Sequence, residues 1–260
     1  MDEVVVYWAP NIDNAKDSLD WSFLYPKPKT LFASSKEHIT KYKDYEQFTL
    51  QNSPNVLSCP AVSSKFKKIV VFESPMTCSY KFDQKSQDVC EVIPDTKNFI
   101  SAEAVRMPIM KHGPVIGFSL YYILFSEEPL QAYFTPPMFH KPGYSKYGSV
   151  VPAEYDIGQW FRPYNFEVQM WESKGEFKLV ENEPLFYIDF NTNKKIILKR
   201  FKMNENLTKL SLACINSAQV MGQGKNLDDK YKKFNDVGMK DLILTDIKKN
   251  LIDEESMITI

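Results

Sequence analysis

Residues 115–201 constrain the fold more than any other part of the chain, because aromatic and β-branched side chains are densest there. Such residues favour strands and give a core with large buried areas. Turn residues (Pro, Gly, Asn and Ser) interrupt the stretch at a spacing of about 10–15 residues, which is typical of antiparallel sandwiches and barrels. We therefore expect about four to six strands within it.

Two segments of this stretch carry the strand pattern most clearly. In residues 165–171 (NFEVQMW) and 185–190 (LFYIDF), apolar side chains occupy alternate positions and so share one face of a strand. An Asn-Thr-Asn turn at residues 191–193 leads from the second segment into KKIILKRF, residues 194–201. A short turn between two strands predicts that they form a hairpin.

The chain before residue 115 predicts shorter strands and little helix. Strands are expected at residues 4–8 (VVVYW), 48–50, 66–75 (FKKIVVFESP), 77–83 (TCSYKFD) and 89–93 (VCEVI). Residues 34–44 are mostly polar, and Ser34 or Ser35 can cap a short exposed helix there.

The sequence pattern changes after Met203. Leu207, Leu210, Cys214 and Ala218 recur every three or four residues, which predicts an amphipathic helix, and shorter helical patterns follow it. We therefore expect a mainly β fold: an antiparallel sandwich or β-clip-like body over residues 1–203. Two or three C-terminal α-helices within residues 204–260 are expected to pack on or beside this body as one compact unit. We also expect this helical segment to offer a surface for a homo-oligomer.

Composition argues against several classes of function. The formal net charge of −1 gives no basic excess, so nucleic acid is not an expected partner. The 9 glycines are few for a dinucleotide-binding or P-loop fold. No apolar run approaches the about 18–20 residues of a membrane-spanning helix, so membrane insertion is not expected. An acidic N-terminus without an export signal, and cysteines without a CxxC pair, favour free thiols in a reducing cytoplasm.

No complete catalytic set is visible in the sequence. His38, His112 and His140 are far apart and lie in no metal-binding motif, and no serine lies in a GxSxG elbow. Glu154 and Asp156 are spaced to share one face of a strand, which fits either an acid–base pair or two exposed acids in a turn. No cofactor is expected.

The region between residues 139 and 162 is where we expect binding. Residues 141–149 (KPGYSKYGS) join basic and aromatic side chains next to an acidic turn, and loops on a rigid scaffold commonly carry binding residues. The expected ligand is a protein or a small molecule. The alternative is a surface loop with Trp160 and Phe161 packed beneath it. The candidate ligand-binding residues are His140, Tyr144, Tyr155, Asp156, Trp160 and Arg162.

The sequence resembles an uncharacterised protein family of tailed bacteriophages, especially marine ones. The resemblance rests on YWAPN near the N-terminus, on PAEYDIGQWFRP and on ENEPLFYIDFNTNKKIILKRF. It covers most of the chain and brings no known activity. It implies a phage protein that acts in the cytoplasm of an infected bacterium or is carried in the virion.

The layout of SVVPAEYDI, a strand and FKLVENEPLFYIDF is also similar to the deoxyuridine triphosphatase-like β-clip superfamily. The similarity places Tyr155 where that superfamily has its ring-stacking tyrosine. It places Pro152 where the catalytic aspartate would lie, and Asn182 and Glu183 where a Gly-Asp pair would lie. Tyr187 replaces the later glutamine, and the C-terminal glycine-rich motif is absent. The resemblance therefore implies the fold of that superfamily without its nucleotide hydrolysis.

Two functions remain open on the sequence alone. The first is a non-enzymatic phage protein, which would be a binding, host-modulating or virion-associated module on a β scaffold. The second is an enzyme with a degenerate nucleotide-type site around Tyr155, Asp156 and Arg162.

Overall fold

The computed structural model describes residues 2–11, 21–43, 56–85, 90–94, 100–105, 113–220 and 226–252. The segment predicted as a strand at residues 48–50 lies outside these ranges. The strands are β1 (Glu3–Pro10), β2 (Lys29–Thr30), β3 (Ile69–Glu73), β4 (Cys78–Gln84), β5 (Cys90–Pro94), β6 (Ser101–Val105), β7 (Val115–Ser126), β8 (Gln131–Thr135), β9 (Gly148–Val150), β10 (Ala153–Asp156), β11 (Tyr164–Met170), β12 (Lys174–Leu179), β13 (Pro184–Phe190) and β14 (Lys195–Arg200). The helices are α1 (Leu31–Lys43), α2 (Pro60–Lys68), α3 (Glu205–Val220), α4 (Leu227–Phe234) and α5 (Lys240–Lys249).

The mainly β fold predicted from the sequence is confirmed. Strands make up 42% of the structure and helices 31%, and one sheet curls into a half-barrel. The largest sheet has the order β14-β1-β7-β11-β9, with β6 also paired to β7. A second sheet has the order β10-β8-β13-β3-β2, and a third has the order β12-β4-β5.

Strand β7 organises the largest sheet. Its first half pairs with β6 and its second half with β1, while β11 runs along the opposite edge. Between the two halves, Tyr121 adopts a positive φ of 59°, and the register with β11 shifts between Tyr164 and Phe166. An irregularity of this kind bends a strand and increases its twist, which allows the sheet to curl.

The predicted hairpin between residues 185–190 and 194–201 is wrong. Strand β13 lies between β3 and β8, so both of its edges are already hydrogen-bonded. Strand β14 instead pairs with β1 in parallel, from Glu3 opposite Lys195 to Trp8 opposite Arg200. The turn at residues 191–193 therefore carries the chain from one sheet to the other. This parallel pair is the exception among the described strand pairs, since the others are antiparallel.

The strand predicted at residues 66–75 begins later than expected, because its first residues belong to α2. Pro60 occupies the first turn of this helix, where its missing N–H costs nothing. Lys65, Lys67 and Lys68 lie in the last turn, where cations are favourable. The buried strand β3 then starts at Ile69.

The core forms where aromatic rings from two sheets meet. Phe118 of β7 and Phe166 of β11 stack with centroids 4.8 Å apart. Phe186 of β13 then stacks on Phe166 at 5.6 Å and on Phe134 of β8 at 5.4 Å. These rings are 3% exposed or less, and burying each one stabilises the fold by about 1.5–3 kcal/mol. The aromatic residues that are so frequent in this part of the sequence thus form the core between the sheets.

The C-terminal helices share this core. Their buried residues belong to the same cluster as the strand residues and are Leu207, Cys214, Tyr231, Phe234, Ile243 and Ile247. Between α4 and α5 the helical geometry breaks at Val237 and Gly238, and Gly238 has a φ of 86°. After α5 the chain returns to the largest sheet, where Leu251 forms an antiparallel bridge with Phe201. Of the helices in the described ranges, none combines the length and the apolar character needed to cross a bilayer.

Candidate functional site

The six candidate residues fall into two separate places. His140 and Tyr144 lie on the loop that follows β8, which includes a short 3₁₀ turn over Gly143–Lys146. The other four candidates lie on β10 and on the turn that follows it. The sequence grouped all six because they are close along the chain, whereas the structure gives the two groups different surroundings.

Asp156 at the end of β10 organises the turn that follows it. Its Oδ1 accepts hydrogen bonds from the backbone N–H of Leu130 at 3.2 Å and of Gly158 at 2.9 Å. Its Oδ2 accepts from Nε2 of Gln159 at 2.6 Å. Both carboxylate oxygens are therefore used to join this turn to the start of β8. Glu154, its proposed acid–base partner, is exposed on the same strand.

Helix α4 docks on a surface formed by Tyr155, Trp160 and Arg162. The ring of Trp160 lies 4.8 Å from that of Tyr155 and 4.6 Å from that of Tyr231 on α4. Nη1 of Arg162 donates a hydrogen bond to the Tyr231 hydroxyl at 2.8 Å. Burial raises the pKa of Tyr155, so its phenol stays protonated. Phe161 next to them is fully buried, as expected if this segment packs beneath the surface.

His140 and Tyr144 instead line an open groove of about 640 Å³. Most of its lining comes from the loop between Pro136 and Lys146, which we call its wall, and the rest comes from Gly148, Ser149 and Trp171. Met138 is 69% exposed and Trp171 is 55% exposed, so both apolar side chains are open to solvent. We call this feature the Trp171 groove.

The wall of the Trp171 groove is fixed from behind by buried contacts. The Tyr144 side chain is buried, and its hydroxyl donates a hydrogen bond to the Leu185 carbonyl oxygen. The Tyr187 hydroxyl contacts Nδ1 of His140 and accepts from the Phe139 N–H at 3.4 Å. Burial raises the pKa of both tyrosines, so both hydroxyls stay protonated at neutral pH.

Gly143 allows this wall to lie directly on β12. A Cβ atom at this position would lie 2.1 Å from the Lys178 carbonyl oxygen and 3.2 Å from the Lys178 nitrogen. Backbone atoms cannot easily move away from contacts this short, so only glycine fits at this position. The KPGYSKYGS loop selected from the sequence is therefore a preformed wall.

The charged side chains that line the Trp171 groove are lysines. Lys141 and Lys146 are both exposed, and the lining includes no carboxylate. Within the described part of the chain, Lys146 lies over the Tyr147 ring at 5.1 Å, and neither lysine forms an ion pair. The lining thus combines exposed apolar side chains with positively charged ones.

The sequence-based candidates did not include the exposed apolar and charged side chains of the groove lining: Met138, Lys141, Lys146 and Trp171. The two lysines lie within the loop that the sequence selected, so their charge was the available signal. Trp171 ends the alternating pattern of β11 and lies next to the polar turn ESKG, which was a weaker signal of exposure.

The described ranges hold no group of three His, Cys, Asp or Glu side chains placed to bind a metal ion. His112 and the side chain of His38 lie outside these ranges. Of the cysteines, Cys59 is exposed, whereas burial raises the pKa of the Cys214 thiol to about 12.

Comparisons with known proteins do not assign a family. No family model matches the sequence, and neither the curated proteins nor the solved structures give a significant match. Function must therefore be argued from the groove itself.

Proposed function

We propose that this protein is a non-enzymatic binding module that holds a short extended segment of a partner protein in the Trp171 groove. The observation that carries the proposal is a groove of about 640 Å³ with exposed Trp171 and Met138 over a wall held by buried contacts. Aromatic residues and methionine are enriched at protein interfaces. A preformed wall lowers the entropy cost of binding because little has to be ordered.

The nucleotide-type alternative is less well supported by the geometry. The carboxylate of Asp156 accepts three hydrogen bonds from the protein, and Arg162 donates to Tyr231. Tyr155 packs against Trp160 at 4.8 Å and Tyr164 at 5.0 Å, so its ring already has aromatic neighbours. A deoxynucleotide that raises the Tm of the wild type, but not that of Tyr155→Ala, would favour this alternative over the groove.

The proposed setting is a tailed bacteriophage. In this setting the module acts on a host or virion protein, either in the cytoplasm of an infected bacterium or in the assembled particle. The support for the setting is the sequence resemblance alone, and it is independent of the groove.

A display selection with a random peptide library on the purified protein tests the proposed function. We expect enriched peptides whose affinity, measured by fluorescence polarisation, falls about tenfold or more in Trp171→Ala, because a central exposed indole is a typical hot spot. Leu242→Ala is the matched control, since Leu242 on α5 is as exposed as Trp171 and lies outside the groove lining. Enriched peptides that bind Trp171→Ala and the wild type equally would overturn the proposal, as would a selection without enrichment.

A further inference from the structure

We infer that the segment held in the Trp171 groove is acidic and carries one apolar side chain that packs on Trp171 and Met138. This inference rests on the proposed function and adds the chemistry of the partner. It is argued from the charges of the groove, from the elements next to it and from the small net charge of the whole chain.

Charge complementarity favours carboxylates in the partner. The charged side chains of the groove lining are Lys141 and Lys146, and the lining carries no aspartate or glutamate. The same lining includes the exposed apolar side chains of Met138 and Trp171. A segment that lies in this groove therefore meets both an apolar surface and positive charge. Acidic residues that flank an apolar anchor would satisfy both.

Helix α2 lies next to the loop that lines the groove. Phe139, which is 58% exposed, contacts Phe66 of α2 with ring centroids 4.8 Å apart. Lys67 and Lys68 follow Phe66 in the last turn of that helix, and the exposed Lys67 lies over the Phe32 ring of α1 at 5.2 Å. These lysines add positive charge outside the groove lining.

An acidic peptide fits these observations better than single-stranded nucleic acid does. The chain as a whole has a formal net charge of −1, so its attraction for a polyanion is local and is screened within about 10 Å. Nucleic-acid channels combine a long basic track with several stacking rings. The groove lining includes one exposed aromatic side chain, Trp171, and the flexible Met138, which adapts well to peptide side chains.

Three short fluorescent peptides test the inference. They share one central leucine as the apolar anchor and differ in whether glutamate, glutamine or lysine flanks it. We expect the glutamate peptide to bind most tightly to the wild type and to weaken as salt is raised. We expect its binding to weaken about tenfold in Lys141→Glu/Lys146→Glu, with the preference shifted to the lysine peptide. Lys232→Glu/Lys233→Glu on α4 is the control, because it changes the net charge equally at exposed lysines outside the groove lining.

The outcomes separate this inference from the proposed function. If the glutamate and glutamine peptides bind equally well and both are lost in Trp171→Ala, the groove binds peptides but the acidic partner is overturned. If oligothymidylate binds more tightly than every peptide, the acidic partner is also overturned. If the library selection yields groove-dependent peptides that are basic, the proposed function stands and this inference fails.

Discussion

At the scale of single residues, Gly143 decides whether the Trp171 groove has a fixed wall. Its Cα lies against the Lys178 backbone of β12, and its neighbour Tyr144 is buried with its hydroxyl bonded to Leu185. These adjacent residues anchor the loop in different ways, one by the absence of a side chain and the other by a large buried one. The groove is thus formed before any ligand arrives.

Replacing Gly143 with alanine should therefore both destabilise the protein and deform the groove. We expect Gly143→Ala to lower the free energy of unfolding by about 2–3 kcal/mol, because the new Cβ would overlap the Lys178 backbone. Gly238→Ala is the control, since a Cβ there meets nothing within 4 Å and only the positive φ costs about 1 kcal/mol. Urea unfolding measures the free energy of unfolding of both variants. Equal losses of stability would contradict the close approach of Gly143 to the Lys178 backbone.

Asp156 is the second residue whose role the structure defines. Its carboxylate joins the turn at Gly158 and Gln159 to the backbone of Leu130. The acidic turn that the sequence offered as a binding site thus has a structural role as well.

Removing this carboxylate should cost stability. We expect Asp156→Ala to lower the free energy of unfolding by about 2–3 kcal/mol, because the N–H of the buried Leu130 loses its acceptor. Glu154→Ala, at the exposed position of the same strand, should change it by about 0.5 kcal/mol or less. Similar losses in both variants, measured by urea unfolding, would show that Asp156 has no special structural role.

At the scale of elements, charged side chains help to hold the C-terminal helices against the strands. Glu127, in the turn after β7, accepts from the Tyr7 hydroxyl at 2.6 Å and pairs with Lys248 of α5 at 3.0 Å. The hydrogen bond from Tyr7 and then that from Lys248 lower the pKa of Glu127. Lys240 of α5 also donates to the Gly158 carbonyl oxygen at 2.9 Å.

This network predicts a pH dependence with a defined sign. The pKa of Glu127 is lower in the folded state than in the unfolded state. Its contribution to the free energy of unfolding is therefore fully present above the pKa of an ordinary glutamate. This contribution is lost as the pH falls through the lowered pKa. We therefore expect Glu127→Gln to be less stable than the wild type at neutral pH, by about 0.5 kcal/mol given the exposure of the pair, and the difference to vanish in acid. A difference that grows in acid would contradict the assignment.

Much of the element pattern could be predicted from the sequence, but the pairing of the elements could not. Strand β11 was found because its alternation of buried and exposed side chains is local, and β13 was found because its run of apolar and aromatic residues is also local, although its residues are buried on both faces. Helix α2 was missed because its last residues run directly into the apolar strand β3. The neighbours of β14 could not be found because its partner β1 lies at the other end of the chain. The local sequence pattern of a strand does not predict which distant strand it pairs with.

At the scale of the whole molecule, the sandwich core determines whether the chain folds. Ile188 of β13 is fully buried and lies between Val70 of β3 and Phe134 of β8. The C-terminal helices bury residues in the same cluster, so body and helices are packed together.

A charge in this core should unfold the protein. We expect Ile188→Asp to cost several kcal/mol, because an unpaired carboxylate would replace a buried apolar side chain. Ile93→Asp on β5 is the control, since Ile93 is 57% exposed and should tolerate the change. A soluble Ile188→Asp protein with the wild-type Tm would contradict the assignment of β13 to the core.

The location of the Trp171 groove was only partly accessible from the sequence. The composition of residues 141–149 identified the loop, because basic and aromatic residues stood out there. The exposure of Trp171 depends on where β11 ends, and that position follows from the contacts of the whole sheet.

The occupancy of the groove is the most direct test of the central claim. Methionine methyl groups labelled with ¹³C can be followed by NMR while a selected peptide is titrated in, with Met138 assigned from Met138→Leu. We predict that the Met138 resonance shifts with the peptide, whereas Met203, at the junction with α3, keeps its position. A bound peptide that leaves the Met138 resonance unchanged would contradict the account.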